Sequence, residues 1–431
     1  MHNNRIFQNA KWIIGCKILQ SLIQLIVGML TARYLGPGNY GLIDYAASIT
    51  AFAIPVMQLG LQSTLVQEYV NNPEKEGQIV GTHLAMNMMA AVACMIGITS
   101  FAAVANPGDA VAVKVCALYS VSLFFQAIEM MQYWFQAKLL SKYSSMAMLC
   151  AYMVVSAYKI YLLVSGKSVF WFALSHAVEY GSTGMLLLIV YRKVGTQKLG
   201  FSVDLMKTML SKSRYYIVAM LMVVVYGRIG NVFLKQFVGV TENGYYAAAV
   251  TCNCISGFVF MAVIDTARPV ILESKKQSQE AYEKNISRVY SMITWLSLAQ
   301  SVFFTLLAKL IIETLYGEAY LPAVPVLQIM VWNTAFSYMG YVRDIWILGE
   351  EKHSLLWIIN LGGAIASLVL NLLLIPIWGA CGAALASVAT QIFTNVIMGF
   401  ILKPIRPNNQ LLLRGMNPKF AMELIKTFLA R

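Results

Sequence analysis

The sequence predicts an all-α membrane protein of twelve transmembrane helices, arranged as two six-helix lobes around a central cavity. Composition is the first observation: 59% of the 431 residues are hydrophobic and 12% are charged, whereas roughly 25% of the residues in soluble domains are charged. The second is length, since a span needs roughly 20 mainly apolar residues and many such stretches follow one another. The third is an internal repeat that relates the two halves.

The predicted spans are separated by short loops. Lys17 inside the first span and the lack of a small-residue cleavage pattern after it favour a retained helix over a signal peptide. The spans cover residues 12–32, 43–66, 79–105, 111–137, 144–165, 168–191, 215–238, 245–268, 289–312, 324–348, 355–375 and 380–402.

A basic segment divides the spans into two sets of six. We predict an N-terminal lobe at 1–191, a basic cytoplasmic connector at 192–214 and a C-terminal lobe at 215–402. A basic amphipathic tail at 403–431 is expected to lie on the inner leaflet, because its apolar and cationic side chains suit anionic lipids.

The internal repeat lies in the loops after the first and seventh spans. Gly36 and Gly41 occupy the first loop and Gly239 and Gly244 the second, five residues apart in both. A Tyr/Ala-rich helix follows each loop, which favours a true repeat over a chance spacing. With six helices per half, both copies run the same way across the membrane. At least one of Gly36 and Gly41 is expected to adopt a positive φ, which costs little for glycine alone.

The net charge of +13 is explained by topology and not by nucleic acid. Most of the Lys and Arg side chains fall in alternate loops and in both termini, so the positive-inside rule places both termini in the cytoplasm. The seven cysteines lie in or beside apolar segments, which is not typical of a disulfide framework.

The sequence contains none of the enzyme motifs that would indicate a nucleotide site, a metal centre or a catalytic nucleophile. The sequence has no P-loop, HExxH, G-x-S-x-G or DxD motif, and its four histidines have no partner at metal-ligand spacing. We therefore expect neither an enzyme nor a bound cofactor or metal. Transport would be driven by an ion gradient, the membrane potential or the gradient of the substrate.

Charged side chains inside the spans are the candidate functional residues, because each needs a watery or protein-lined environment at membrane depth. Arg228 ranks first, since it lies near the middle of the seventh span, too far from either end to snorkel. The candidate substrate-binding residues of the cavity are Arg228, Lys159, Lys17, Arg343 and Asn231. The candidate coupling or ion-pair carboxylates are Glu129, Glu179, Asp344 and Asp44.

Structural alternatives stay open for these residues. Lys17, Arg343 and Asp344 lie near the cytoplasmic ends of their helices, where they can snorkel or pair locally; Arg343 and Asp344 can also simply end their helix. Ion pairs of Lys159 or Arg228 with Glu129 or Glu179 are alternatives to substrate contact. Polar residues such as Asn, Gln and Ser often only join helices to one another.

The loop motifs resemble those of Wzx-type O-antigen and polysaccharide flippases of the MOP superfamily, over about residues 5–402. One departure is that many relatives carry an Asp near Gly230, where this chain has Arg228 and Asn231, so proton coupling through this helix is not implied. The matching segments are Ala32–Pro37, Tyr40–Gly41, Leu59–Leu61, Gln67–Tyr69, Gly244–Ala249, Tyr316–Tyr320 and Ile375–Ala386.

The resemblance implies a flippase in the bacterial cytoplasmic (inner) membrane. It would carry polyprenyl-pyrophosphate-linked oligosaccharide repeat units from the cytoplasmic to the outer leaflet for O-antigen or capsule assembly. Its expected partners are the lipid-linked glycan and the bilayer, with a polysaccharide polymerase and a chain-length regulator as candidates. The alternatives are a MATE-like cation-coupled multidrug exporter on the same fold and a non-transporting scaffold.

The topology can be tested with reporter fusions. Fusions after Leu163, Val238 and Ile375 should report an external location. Fusions after Gly77, Thr196, Lys275 and Lys403 should report a cytoplasmic one. A cytoplasmic signal after Val238 would refute the twelve-span arrangement, because every later helix would then be inverted.

Overall fold

The computed structural model describes residues 2–195, 197–418 and 420. About 90% of the chain is helical, and no strand occurs in the described residues. The predicted all-α class is therefore confirmed. The chain forms two compact units, Met1–Val224 and Val225–Arg431, so the division falls inside one long helix.

In the first unit, a long kinked helix is followed by helices of six to 35 residues. The helices are α1 His2–Met57, α2 Leu65–Asn71, α3 Glu76–Ala105, α4 Ala110–Ser120, α5 Ser122–Glu129, α6 Gln132–Ala137, α7 Ser141–Val164, α8 Val169–Val194 and α9 Val203–Phe237.

The second unit contains the last part of α9 and the helices that follow it. These are α10 Val240–Cys254, α11 Gly257–Gln277, α12 Gln279–Tyr316, α13 Ala323–Met330, α14 Asn333–Gly349, α15 Ser354–Ile392, α16 Met398–Ile401 and α17 Arg406–Met416. A π-helical turn, Phe393–Ile397, joins α15 to α16.

Eight helices of the described chain are long and apolar enough to cross a membrane, or nine if α10 and α11, bent by 43°, form one span. Two of these, Leu19–Met57 and Ser354–Ile401, contain 39 and 48 residues, or about 58 and 72 Å at 1.5 Å per residue. A hydrocarbon core is about 30 Å thick, so each is long enough to cross twice. The count of twelve spans stays a prediction, which these lengths favour.

Glycines with positive φ interrupt both long helices. Gly36 has φ 69° inside α1, and Gly379 has φ 52° inside α15. The prediction that Gly36 or Gly41 adopts a positive φ is thus confirmed, at Gly36. Gly239, the counterpart of Gly36 in the sequence repeat, has φ 128° and precedes α10.

The ends of α6 and α14 give a further sign of the repeat. Leu139 after α6 and Glu351 after α14 both have φ 56°. In each case the next residue closes the helix with a backbone bond five residues back: Leu140 N donates to Phe135 O at 2.7 Å, and Lys352 N donates to Ile347 O at 3.0 Å. This ending is common in helices, and Lys167 N also donates to Leu162 O after Gly166 at φ 64°, so the two ends agree with the repeat without establishing it.

The predicted spans 111–137, 245–268 and 324–348 are not continuous helices. The first is divided into α4, α5 and α6, the second into α10 and α11, and the third into α13 and α14. The hydropathy averaged over a stretch of sequence does not reveal such breaks, because the residues on both sides of a break are equally apolar. The sequence pattern therefore located these spans without showing their interruptions.

The chain between α8 and α9 is held against the start of α3. Gly200 N donates to Gly77 O at 3.1 Å, Gly77 N donates to Gln197 Oε1 at 3.0 Å, and Ser202 N donates to Thr82 Oγ1 at 3.1 Å. The helix α9 begins at Val203, inside the predicted connector 192–214. The described part of this connector is thus a fixed part of the first unit.

The tail packs onto the second unit over its described length. Ile405, Leu411 and Leu412 are buried in the core cluster of this unit, and Tyr290 donates a hydrogen bond to Asn408 Oδ1 at 2.9 Å. Part of the apolar face of the tail therefore packs against α12, and contact of the tail with the inner leaflet stays a prediction. The tail residues 419 and 421–431 lie outside the described residues.

Gly36 gives a test of the kink in α1. Gly36→Val should lower the folded fraction, because a β-branched residue at positive φ is strained by roughly 1–3 kcal/mol. Gly28→Ala is the matched control, since Gly28 lies in the same helix and no atom lies within 4 Å of the position of an added Cβ. Size-exclusion chromatography of a fluorescent fusion measures the folded fraction. Equal tolerance of the two changes would show that the kink is a passive linker.

Candidate functional site

The first unit brings together charged residues from three helices. Glu129 ends α5, Lys159 lies on α7, and Glu179 lies on α8, and each is half-buried. Lys159 interacts electrostatically with Glu179, which in turn interacts with Glu129. Ion pairing and substrate contact both stay predictions for Lys159, with Glu179 as the carboxylate that lies within its electrostatic range.

His176 belongs to the same cluster, although the sequence shows no partner for it at metal-ligand spacing. Its Nδ1 lies 3.6 Å from Glu179 Oε2, one turn along α8. Its ring contacts that of Tyr119, with 4.6 Å between the centroids. The spacing of three residues between His176 and Glu179 was the signal that could have identified this pair, because such residues share a helix face.

The cluster has the composition of a site that holds protons or cations. It combines two carboxylates, an imidazole and an ammonium group, with the hydroxyls of Tyr133, Tyr152 and Tyr180 within electrostatic range of the carboxylates. We define Glu129, Lys159, His176 and Glu179 as the first-unit cluster. Because Lys159 balances one carboxylate, the cluster differs from a lone intramembrane acid.

In the second unit, Arg228 is exposed on α9. It lies nine residues before Phe237, the last residue of α9, which is about 14 Å along the helix axis. Cys254 at the end of α10 lies within its electrostatic range. The carboxylates proposed as structural partners, Glu129 and Glu179, belong to the first unit. Substrate contact and structural pairing of Arg228 both stay predictions.

The neighbouring face of α9 is used for packing. Asn231 is buried, and Gly230 packs so closely on α15 that an added Cβ would lie 2.9 Å from Asn371 Oδ1. Asn371 Nδ2 donates to Ser367 O at 2.7 Å, and Ser367 Oγ donates to Tyr226 O at 3.3 Å. The Ser367 bond joins α15 to α9, whereas the Asn371 bond lies within α15. The role of Asn231 stays a prediction.

Arg343 lies in an internal network of the second unit. Its Nη2 lies 2.9 Å from Asp344 Oδ1, and its Nη1 donates to Asn395 Oδ1 at 2.8 Å and to Thr394 O at 3.1 Å. Thr394 and Asn395 belong to the π-helical turn, where the backbone register changes and carbonyls lose their regular donors. Arg343 is 5% exposed, so the local-pairing interpretation describes it better than substrate contact.

The helix also continues past this pair. α14 ends at Gly349, so the suggestion that Arg343 and Asp344 end their helix is wrong. The side chain of Asp344 is 45% exposed, which leaves the outer side of its carboxylate open to water.

The remaining candidates lie on α1. Asp44 is half-buried, eight residues after the kink at Gly36. The side chain of Lys17 lies outside the described residues. Their roles as a coupling carboxylate and a substrate-binding cation stay predictions.

Solved structures with the same fold are membrane transporters. A lipid II flippase, MurJ in an inward closed conformation, matches with a TM-score of 0.75 at 12% identity, covering 94% of this chain and 90% of that one. A multidrug resistance MATE family transporter of the MOP superfamily, in an inward-facing conformation, matches with a TM-score of 0.67 at 14% identity, covering 90% and 94%. The chain therefore has the fold of MOP superfamily transporters.

A curated relative is also similar over part of its length. The uncharacterized membrane protein MJ1068 of Methanocaldococcus jannaschii is 25% identical over 225 residues, which are 49% of this chain and 44% of that protein. The match thus spans less than half the length of the relative.

A family model gives the broadest sequence match. The model described as "Polysaccharide biosynthesis protein" matches residues 6–275, which include the first unit, all of α9 and most of α11. The match covers more than half of the chain and contains the Gly36 and Gly239 loops of the repeat. The chain belongs to this family of polysaccharide biosynthesis proteins.

Proposed function

We propose that the protein is a flippase for polyprenyl-pyrophosphate-linked oligosaccharides, which it carries from the cytoplasmic to the outer leaflet. Membership of the polysaccharide biosynthesis family supports a glycan substrate, and the fold supports transport across a bilayer. The glycan is proposed to be a repeat unit of O-antigen or capsule. The site of action is the bacterial cytoplasmic membrane, with both termini in the cytoplasm.

The observation that carries this proposal is the exposed guanidinium of Arg228 at membrane depth. A cation at the centre of a span costs about 2.5–3.5 kcal/mol on insertion scales unless water or an anion meets it. Arg343 is buried, whereas the side chain of Arg228 is exposed and can be reached by a ligand. A pyrophosphate is the anionic group that a planar guanidinium binds in a bidentate manner.

The charges of the first-unit cluster bear on the alternative, a MATE-like cation-coupled multidrug exporter. A site for cationic drugs would favour carboxylates without competing cations. Glu179 instead has Lys159 within electrostatic range and His176 at 3.6 Å. An anionic substrate therefore suits the charges of the chain better than a cationic drug.

Arg228 is the residue whose replacement tests the proposal. Arg228→Ala should reach the membrane at normal abundance yet restore at least tenfold less surface glycan in a deletion strain, because a charge-assisted hydrogen bond contributes about 1.5–3 kcal/mol. Arg228→Lys should be partly active, since lysine keeps the positive charge but lacks the planar guanidinium group that binds a phosphate in a bidentate manner. Glycan is measured by gel staining and the protein by immunoblotting of membranes.

Arg192→Ala is the matched control, because Arg192 is an exposed arginine in the last turn of α8. It should restore glycan fully. A structural role of Arg228 would instead lower the abundance of Arg228→Ala, with recovery when Glu129 or Glu179 is also neutralised. Normal abundance with full activity of Arg228→Ala would refute both roles.

A further inference from the structure

An open apolar groove lies between α11 and α12 in the second unit. Its volume is about 520 Å³, within the range of roughly 300–1,000 Å³ that is typical of small-ligand sites. Ala262, Val263 and Val270 line it from α11, and Val289 and Met292 line it from α12. Val270 and Met292 are more than half exposed, so the groove opens to the surroundings of the helices.

One positively charged side chain, that of Arg288, lines this mainly apolar groove. Arg288 lines it together with Asn285, whose Oδ1 accepts from Arg288 Nη1 at a long 3.4 Å. The Nε of Arg288 is buried and has no hydrogen-bond partner among the described residues. A buried donor without a partner is unfavourable, so an acceptor at this place would stabilise the protein.

The predicted spans place the groove at the level of the lipid headgroups. α11 and α12 are antiparallel and meet at Ser278, and Arg268 and Arg288 are each ten residues from this junction. Both arginines border the predicted spans 245–268 and 289–312. Ala262 and Met292 are farther from the junction, on the side of the hydrocarbon core, so the groove runs from the headgroup level into the acyl region.

Arg268 is the less available of the two cations. Its Nη2 lies 4.0 Å from Asp265 Oδ1 on the same helix, which compensates part of its charge. Lys275, nearer the junction, is paired with Glu350 at 2.7 Å. Arg288 therefore contributes the main positive charge next to the groove.

We propose that this groove binds an anionic phospholipid of the surrounding bilayer. The phosphate accepts hydrogen bonds from Arg288, and one acyl chain lies along Ala262, Val263, Val289 and Met292. Two features support this occupant: the charge of Arg288 is complementary to a phosphate, and the rest of the lining is complementary to a hydrocarbon chain. The proposal is independent of the transported substrate.

Native mass spectrometry of the full-length protein in detergent tests the proposal, with phosphatidylglycerol and phosphatidylcholine as probes. Both lipids carry the phosphate that accepts from Arg288, but the choline cation offsets the charge of phosphatidylcholine. Phosphatidylglycerol, with its net negative charge, should therefore bind about fivefold more tightly, the scale of one basic side chain near an anionic lipid. Arg288→Gln should remove this preference, and Arg288→Lys should keep part of it. Ala267→Phe, which fills the groove and leaves Arg288 in place, should weaken both lipids.

The control is Arg192→Gln, an exposed arginine of the first unit, which should leave lipid binding unchanged. Equal affinity for the two lipids, or an unchanged preference in Arg288→Gln, would overturn the proposal. Displacement of phosphatidylglycerol by an equimolar amount of polyprenyl pyrophosphate would also overturn it, because the groove would then be a substrate site. The assay contains no transport step, so its result does not depend on the proposed flippase activity.

Discussion

The cost of placing a charge in hydrocarbon is the constraint on which the structure depends. An isolated cation at the centre of a span is unfavourable by several kcal/mol, and three of the cations in the apolar helices, Lys159, Arg228 and Arg343, lie in three different environments. Lys159 lies among carboxylates and a histidine, and Arg343 binds the carbonyl of a π-helical turn and two side chains. Arg228 differs because its side chain is exposed. The contacts of Arg343 account for its burial, and contact of Arg228 with the substrate stays a proposal.

The backbone follows the same constraint, since polar groups in a bilayer need partners within the protein. Helices are therefore broken where side chains or turns can form hydrogen bonds with the backbone N–H and C=O groups that the break leaves without helical partners. The π-helical turn is an example, because Arg343 donates to the carbonyl of Thr394 and Asn395 accepts a second hydrogen bond from it. The fold uses an arginine here to hold an irregular segment, a role that residue type alone does not distinguish from substrate binding.

Much of the fold could be predicted from the sequence, because apolar length and glycine placement are local signals. The kink at Gly36 and its counterpart at Gly239 were visible as a repeated spacing. The breaks inside 111–137 and 324–348 were not, since they change the hydrogen-bond register without changing hydrophobicity. The environments of Lys159 and Arg343 also depend on residues distant in sequence, Glu179 and Asn395, so no local pattern could determine them. The docking of the tail on α12 was missed because an amphipathic helix suits a lipid surface and a protein core equally well.

Family, fold and charge distribution together support the transport of an anionic lipid-linked glycan. The most direct test is a reconstituted system, in which purified protein in liposomes is given a labelled polyprenyl-pyrophosphate oligosaccharide. A membrane-impermeant glycosidase then measures the fraction of substrate that reaches the outer leaflet. We expect the protein to accelerate this movement over protein-free liposomes and to require the pyrophosphate. Transport of a cationic dye without movement of the glycan lipid would contradict this account.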